Sequence, residues 1–129
     1  MRMIVSSPLL RNVLIVDAAF SGAAGVTLAA AAGPFAAMSG LPHALVLGVG
    51  VFLMPYALVV GSLGLCALPA AARLVVAGNA LWVAASLAAL AQTQPTSFGV
   101  VAVVGQAVVV AALAAGQAVG LRRSAPATA

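Results

Sequence analysis

The sequence predicts an all-α bundle of four transmembrane helices, and three observations carry that prediction. Of 129 residues, 65% are hydrophobic and only 5% are charged, and the mean hydropathy is +1.27. Soluble domains hold about 45–50% apolar and about 25% charged residues, and a chain this short has no interior large enough to hide the excess. The apolar residues gather in four long runs, each close to the roughly 20 residues that a helix needs to cross about 30 Å of hydrocarbon. The arginines fall in only three places along the chain, and a four-span thread puts all three on one side.

Span one is placed at 9–32 and ends at Gly33-Pro34, followed by a second turn signal at Gly40-Leu41-Pro42. Its apolar stretch is about twice the usual 7–15 residues of a signal-peptide core and Asp17 interrupts it, so a retained helix is expected and not a cleaved leader. Span two is placed at 44–68 and ends before Pro69. Pro55 lies inside it, removes one backbone donor and clashes with the carbonyl of Val51, so a kink is expected there, beside Tyr56. Span three, at 71–91, ends in the polar run Gln92-Thr93-Gln94-Pro95. Span four, at 98–121, ends at Arg122 and Arg123. Residues 1–123 form one domain, and 124–129 read as a short disordered tail. The runs are too long, and too free of polar alternation, for membrane strands.

Arg2 and Arg11 precede or open span one, Arg73 sits between spans two and three, and Arg122 and Arg123 follow span four. The other two loops contain no Arg or Lys, so the positive-inside rule puts both termini in the cytoplasm of an up-and-down bundle. The bias toward Ala, Val, Gly and Leu, with Arg in place of Lys, points to a GC-rich bacterial gene and hence to the bacterial cytoplasmic membrane. The net charge of +4 is dispersed and forms no patch for nucleic acid. The lipid bilayer is the expected partner, with a homodimer or a larger membrane complex as the further possibility.

Asp17 is the only acidic residue of the chain. It lies six residues beyond Arg11, about 9 Å deeper at about 1.5 Å per residue. The same depth is reached by Asn79 on span three, counting from Arg73, and by Gln117 on span four, counting back from Arg122. Counting back from Pro69 reaches Ser62 on span two. Asp17, Ser62, Asn79 and Gln117 therefore read as one polar layer in the cytoplasmic half. An isolated Asp at a helix centre costs about 2.5–3.5 kcal/mol to insert, so Asp17 is expected to face inward, held by Asn79 and by Gln117 or Ser21. Tyr56, Trp82 and Gln106 are further polar candidates. Asn79, Trp82 and Ser86 share one helix face, as do Gln106, Val110, Leu113 and Gln117. Small-residue pairs at i,i+4 (Ala18/Gly22, Ser21/Gly25, Ala57/Gly61, Ala112/Gly116 and Gly116/Gly120) mark surfaces where helices approach closely.

Spans one and three also align as Arg11, Asp17, Phe20 against Arg73, Asn79, Trp82. That spacing is what a duplicated hairpin would leave, and it would bring Asp17 and Asn79 together at the axis.

Chemistry-bearing sets are missing from the sequence. There is one Cys and one His, no carboxylate pair, no nucleophile beside a base and no phosphate-binding glycine loop backed by Lys. No catalytic residue, no cofactor site and no metal site is expected. His43 reads as an interfacial residue and Cys66 as a free thiol.

The stretches DAAFSGAAG (17–25) and GNALWVAAS (78–86), with Leu41-Pro42, Pro55-Tyr56, Gln106-Ala107 and Gly120-Leu121-Arg122-Arg123, resemble a family of small bacterial four-span integral membrane proteins over nearly the full chain. The resemblance implies fold and location and supplies no activity. The small multidrug-resistance family, which also has four spans and a carboxylate in the first, differs: there the carboxylate is Glu, and the surrounding pattern and loop lengths do not match. The sequence thus leads to a structural or accessory membrane protein, with a minimal proton- or cation-linked transporter or channel using Asp17 as the alternative.

Overall fold

The computed structural model describes residues 4–5, 7–66 and 69–126. Arg2, the last two residues of the second predicted span and the tail residues 127–129 lie outside the described residues. The elements run β1 (Ile4–Val5), α1 (Pro8–Ala30), α2 (Ala32–Ser39), α3 (His43–Cys66), α4 (Pro69–Gln92), α5 (Ser97–Arg123) and β2 (Ala125–Pro126). Four of the helices, α1, α3, α4 and α5, are long and apolar enough to cross a membrane, which is compatible with a multi-pass membrane protein.

Each helix start has a local cause. Ser7 caps α1: its Oγ accepts the Leu10 N–H at 3.2 Å, and Pro8 follows at the first helical position, where a missing N–H costs nothing. Thr96 caps α5 in the same way, accepting the Gly99 N–H at 3.1 Å. Pro69 opens α4. Pro55 lies within α3, which is one helix across it.

Helix α2 stands where the sequence predicts a loop at Gly33-Pro34: the chain only breaks at Ala31 (φ −117°, ψ 31°) and restarts at once. Pro34 sits in the first turn of the new helix, where amide hydrogens have no intrahelical partner in any case. The true stop is Gly40, whose φ of 71° is the left-handed cap that glycine adopts without strain. The tail also departs from expectation at 124–126. The Ser124 hydroxyl donates to the Gly120 carbonyl at 2.9 Å and accepts the Ser7 N–H at 3.1 Å. Ala125 and Pro126 pair antiparallel with Val5 and Ile4.

Both ends of the bundle are tied. At the terminal end the Ser7 hydroxyl donates to the Gly120 carbonyl at 2.8 Å. At the other end Thr96 donates its N–H to the Ser39 carbonyl at 2.9 Å and its hydroxyl to the Met38 carbonyl at 2.6 Å.

Between the ends, α1 and α3 interlock through small residues. The contacts run in opposite order along the two helices. A Cβ on Gly64 would meet Leu14 at 3.2 Å, one on Gly61 would meet Ala18 at 3.3 Å, and one on Gly22 would meet Ala57 at 3.5 Å. Gly25 and Gly50 come closer still. The predicted pairs Ala18/Gly22 and Ala57/Gly61 are therefore two halves of one contact. On α5, Gly116 faces Val13 and Gly120 faces Leu10; Ala112 is exposed. Next to the terminal end these approaches enclose an apolar cluster of Leu10, Leu14, Val60, Ala72 and Val75.

The outer surface is the greasy one. Leu58, Leu74, Leu81 and Val101 are each at least 70% exposed, while Asp17, Asn79 and Gln117 are buried. That inversion suits hydrocarbon and would be ruinous in water.

A methyl group at Gly50 would lie 2.5 Å from the Ala29 nitrogen and 3.0 Å from the Gly25 oxygen, both backbone atoms that cannot step aside. Gly50→Ala should therefore lower the thermal unfolding midpoint in detergent, with a cost of about 1–3 kcal/mol for overpacking. Gly48→Ala is the control on the same helix. Nothing lies within 4 Å of its added Cβ, so stability should hold or rise by about 0.5–1 kcal/mol. Equal behaviour of the two variants would contradict the packing described.

Candidate functional site

The polar layer gathers around Asp17, which is 2% exposed. Its Oδ1 accepts the Ser21 hydroxyl at 3.1 Å, one turn along the same helix. Its Oδ2 accepts two amide donors, Asn79 Nδ2 at 2.9 Å from α4 and Gln117 Nε2 at 2.6 Å from α5. Asn79 Nδ2 also donates to Gln117 Oε1 at 3.0 Å. The Tyr56 hydroxyl of α3 donates to Asn79 Oδ1. Four helices thus meet in one hydrogen-bonded group. Every proton in it points along the chain toward the carboxylate: Tyr56 to Asn79, Asn79 to Gln117 and Asp17, Gln117 to Asp17. Among the described residues no buried side-chain nitrogen or oxygen lacks a partner.

The energetic balance is close. Interhelical hydrogen bonds in membranes average about 0.6 kcal/mol and reach about 1.7, and bonds to charged groups run at about 1.5–3 kcal/mol in proteins generally. Three such bonds are of the size of the about 2.5–3.5 kcal/mol that an intramembrane Asp costs. The layer makes the carboxylate tolerable. Removing any one donor would tip the balance.

Three of the four residues placed in this layer from the sequence belong to it: Asp17, Asn79 and Gln117. Ser62 does not. It is exposed, and its hydroxyl donates to the Leu58 carbonyl of its own helix at 2.7 Å. The reason is angular. At 3.6 residues per turn, about 100° each, Ser62 stands about 200° round α3 from the fully buried Val60. Counting residues from a helix end fixes depth and leaves direction open. Tyr56 takes the place of Ser62, reaching Asn79 from further along α3 with a longer side chain.

A second polar group lies further from the termini, about one to two helical turns along α4 from Asn79 and about three along α5 from Gln117. Trp82 Nε1 donates to Gln106 Oε1 at 2.9 Å, and Gln106 Nε2 donates to Ser86 Oγ at 2.9 Å and to the Val103 carbonyl at 3.0 Å. It joins α4 to α5. Of the two shared faces expected from the spacing, Asn79, Ser86, Val110, Leu113 and Gln117 are buried and Trp82 and Gln106 are half-buried. Asp17 and Asn79, which the repeat would place in register, touch directly.

The sequence reading passed over Phe52. Its ring stacks on Trp82 with centroids 6.1 Å apart and planes 9° apart, and on Tyr56 at 5.9 Å and 26°. The signal was present in the i,i+4 spacing of Phe52 and Tyr56, which places both rings on one helix face.

Two cavities border the layer. One, of about 270 Å³, is almost wholly apolar and lies between Phe20, Leu28, Phe35, Leu53 and Val103. The other, of about 430 Å³, touches Asp17, Ser21, Tyr56 and Asn79 and also Gly78 and Leu81 on α4. Comparison with protein-family models, with curated proteins and with solved structures found no match.

Asn79 is the hub, bonded to Asp17, Gln117 and Tyr56 at once. Asn79→Leu should therefore destabilise most in detergent unfolding, Gln117→Leu less, and Tyr56→Phe least, at about 0.6 kcal/mol for its single bond. A Tyr56→Phe variant as unstable as Asn79→Leu would refute this order.

Proposed function

We propose that the protein is a structural or accessory component of the bacterial cytoplasmic membrane, a four-span up-and-down bundle with both termini in the cytoplasm and no enzymatic activity. One observation carries the reading: the only acidic side chain is buried at 2% exposure with both oxygens hydrogen-bonded by side chains of α1, α4 and α5. A carboxylate held this way registers the helices against each other. The arrangement of arginines supports the direction of threading, since Arg11, Arg73, Arg122 and Arg123 are all exposed and all belong to the cytoplasmic face in this reading. A bundle latched at both ends and largely apolar on the outer surface of its long helices is suited to lie against lipid, a second copy or the spans of a larger membrane complex.

A second reading, a minimal proton- or cation-linked carrier or channel for a small solute, is favoured by one observation, the cavity that touches Asp17.

Asp17→Asn separates the two. An amide still accepts at its oxygen, so a clamp keeps its fold, its membrane insertion and any stoichiometric partner recovered by affinity purification. Asp17→Leu leaves amide hydrogens of Asn79 and Gln117 unpaired, at about 1–3 kcal/mol each, and should destabilise the bundle clearly. A cellular phenotype lost equally in Asp17→Asn and Asp17→Leu, with Asp17→Asn still folded, would favour the carrier. For the threading, a phosphatase fused after Ser97 should be active and one fused after Arg123 inactive; the reverse pattern would overturn the orientation.

A further inference from the structure

A clamp needs no empty space beside it, yet one cavity is lined by Asp17 and a second adjoins it at Ser21. Ser21, Leu53, Trp82, Ala85 and Val110 line both of them, so they are adjoining arms of one bent space around Trp82. The arm of about 270 Å³ is lined almost entirely by hydrocarbon. The arm of about 430 Å³ has Asp17 among its lining residues. Its wall includes Gly78, Leu81 and Phe52, all exposed on the outer surface of α4 and α3. A Cβ on Gly78 would meet nothing within 4 Å. The space therefore reaches the lipid-facing surface through the seam between α3 and α4.

The two carboxylate oxygens are unequally engaged by side chains. Each carboxylate oxygen offers about two acceptor sites. Oδ2 uses two, for Asn79 and Gln117, whereas Oδ1 accepts only Ser21. Ser21 itself lines both arms. All three donors on Asp17 are neutral groups, so none supplies a counter-charge. What the space offers is an apolar lining, a carboxylate whose side-chain donors are all neutral, and an opening among exposed residues of α3 and α4.

We propose that this space binds a lipophilic amine: an ammonium group donating to Asp17 Oδ1, joined by a short linker to a ring or branched alkyl body in the apolar arm. An apolar cavity of about 150 Å³ holds benzene, so the apolar arm has room for a substituted ring. Ser21 lies one turn from Asp17, about 5.4 Å along the helix, which a chain of a few methylenes spans. The inference goes beyond the clamp reading and does not depend on it, because Oδ1 accepts a single side-chain hydrogen bond within the clamp and an oxygen of a carboxylate can accept more than one.

Trp82 is the only tryptophan and lines both arms, so its fluorescence reports on occupancy. The test titrates the purified full-length protein in nonionic detergent with phenylbutylamine and with its neutral counterpart, phenylbutanol. The amine should give a saturable change. The alcohol, and the amine on Asp17→Asn, should bind roughly tenfold or more weakly, as expected when a charge-assisted bond is lost. Ala85→Phe fills the wall shared by both arms and touches no member of the polar layer. It should abolish the amine response and keep the wild-type melting temperature, so it decides the matter even where Asp17→Asn fails to fold. Equal binding of amine and alcohol, an unchanged response in Ala85→Phe, or the absence of saturation would each overturn the proposal.

Discussion

Everything in this bundle is arranged around the cost of taking one carboxylate out of water. Hydrocarbon offers Asp17 no hydrogen bonds, so the protein must supply them, and it does so from three directions at once. Asn79 and Gln117 converge on one oxygen and Ser21 on the other. Each donor is worth too little alone to offset the burial. Only their simultaneous presence at hydrogen-bond distance does so, and that requires α1, α4 and α5 to hold one register. Tyr56 extends the same demand to α3 through Asn79. A purely apolar bundle can slide by a turn at little cost, because one leucine against lipid is much like another. A bundle with this layer cannot.

The small residues follow from that demand. Side chains of Asp, Asn and Gln are short, so helices that share them must run close together. Gly25 and Gly50 bring α1 and α3 to backbone contact and Gly120 does the same for α1 and α5, while Gly22, Gly61 and Gly116 make room for the side chains of Ala57, Ala18 and Val13. With nothing hydrophobic to gain by helix association inside lipid, close van der Waals contact and the polar layer are the forces available. The two latches, Ser7 with Gly120 and Thr96 with Ser39, then hold the ends where the layer needs them.

The four spans were legible because their signal is thermodynamic and local: about 20 apolar residues between breakers allow little else. Asp17, Asn79 and Gln117 were legible because depth is a linear quantity that can be counted from the arginines and the prolines. Ser62 was misread because the angle around a helix depends on which face is buried, and α3 is nearly as apolar all round. Tyr56 and Phe52 took the place that Ser62 seemed to hold. Helix α2 was hidden by Pro34, whose meaning depends on whether it stands in the first turn of a helix or in the middle of one. The cavities could not be read at all, since empty space is a property of how four helices tilt and of no residue in particular.

That empty space is the feature a stability argument does not explain. A space closed to lipid forfeits the dispersion contacts that its lining atoms would otherwise make, whereas this one opens among the exposed residues Phe52, Gly78 and Leu81, so acyl chains can enter it. Ala85, Gly78 and Ala24 stand on its walls, and larger residues there would close it without disturbing any hydrogen bond of the polar layer. The α1–α3 seam shows that this chain packs backbone against backbone where it needs to. At the α3–α4 seam the contacts are between side chains: the cluster of Val60 with Ala72 and Val75, the Tyr56–Asn79 hydrogen bond, and the stack of Phe52 on Trp82. A bundle maintained only for its rigidity would have packed both seams alike.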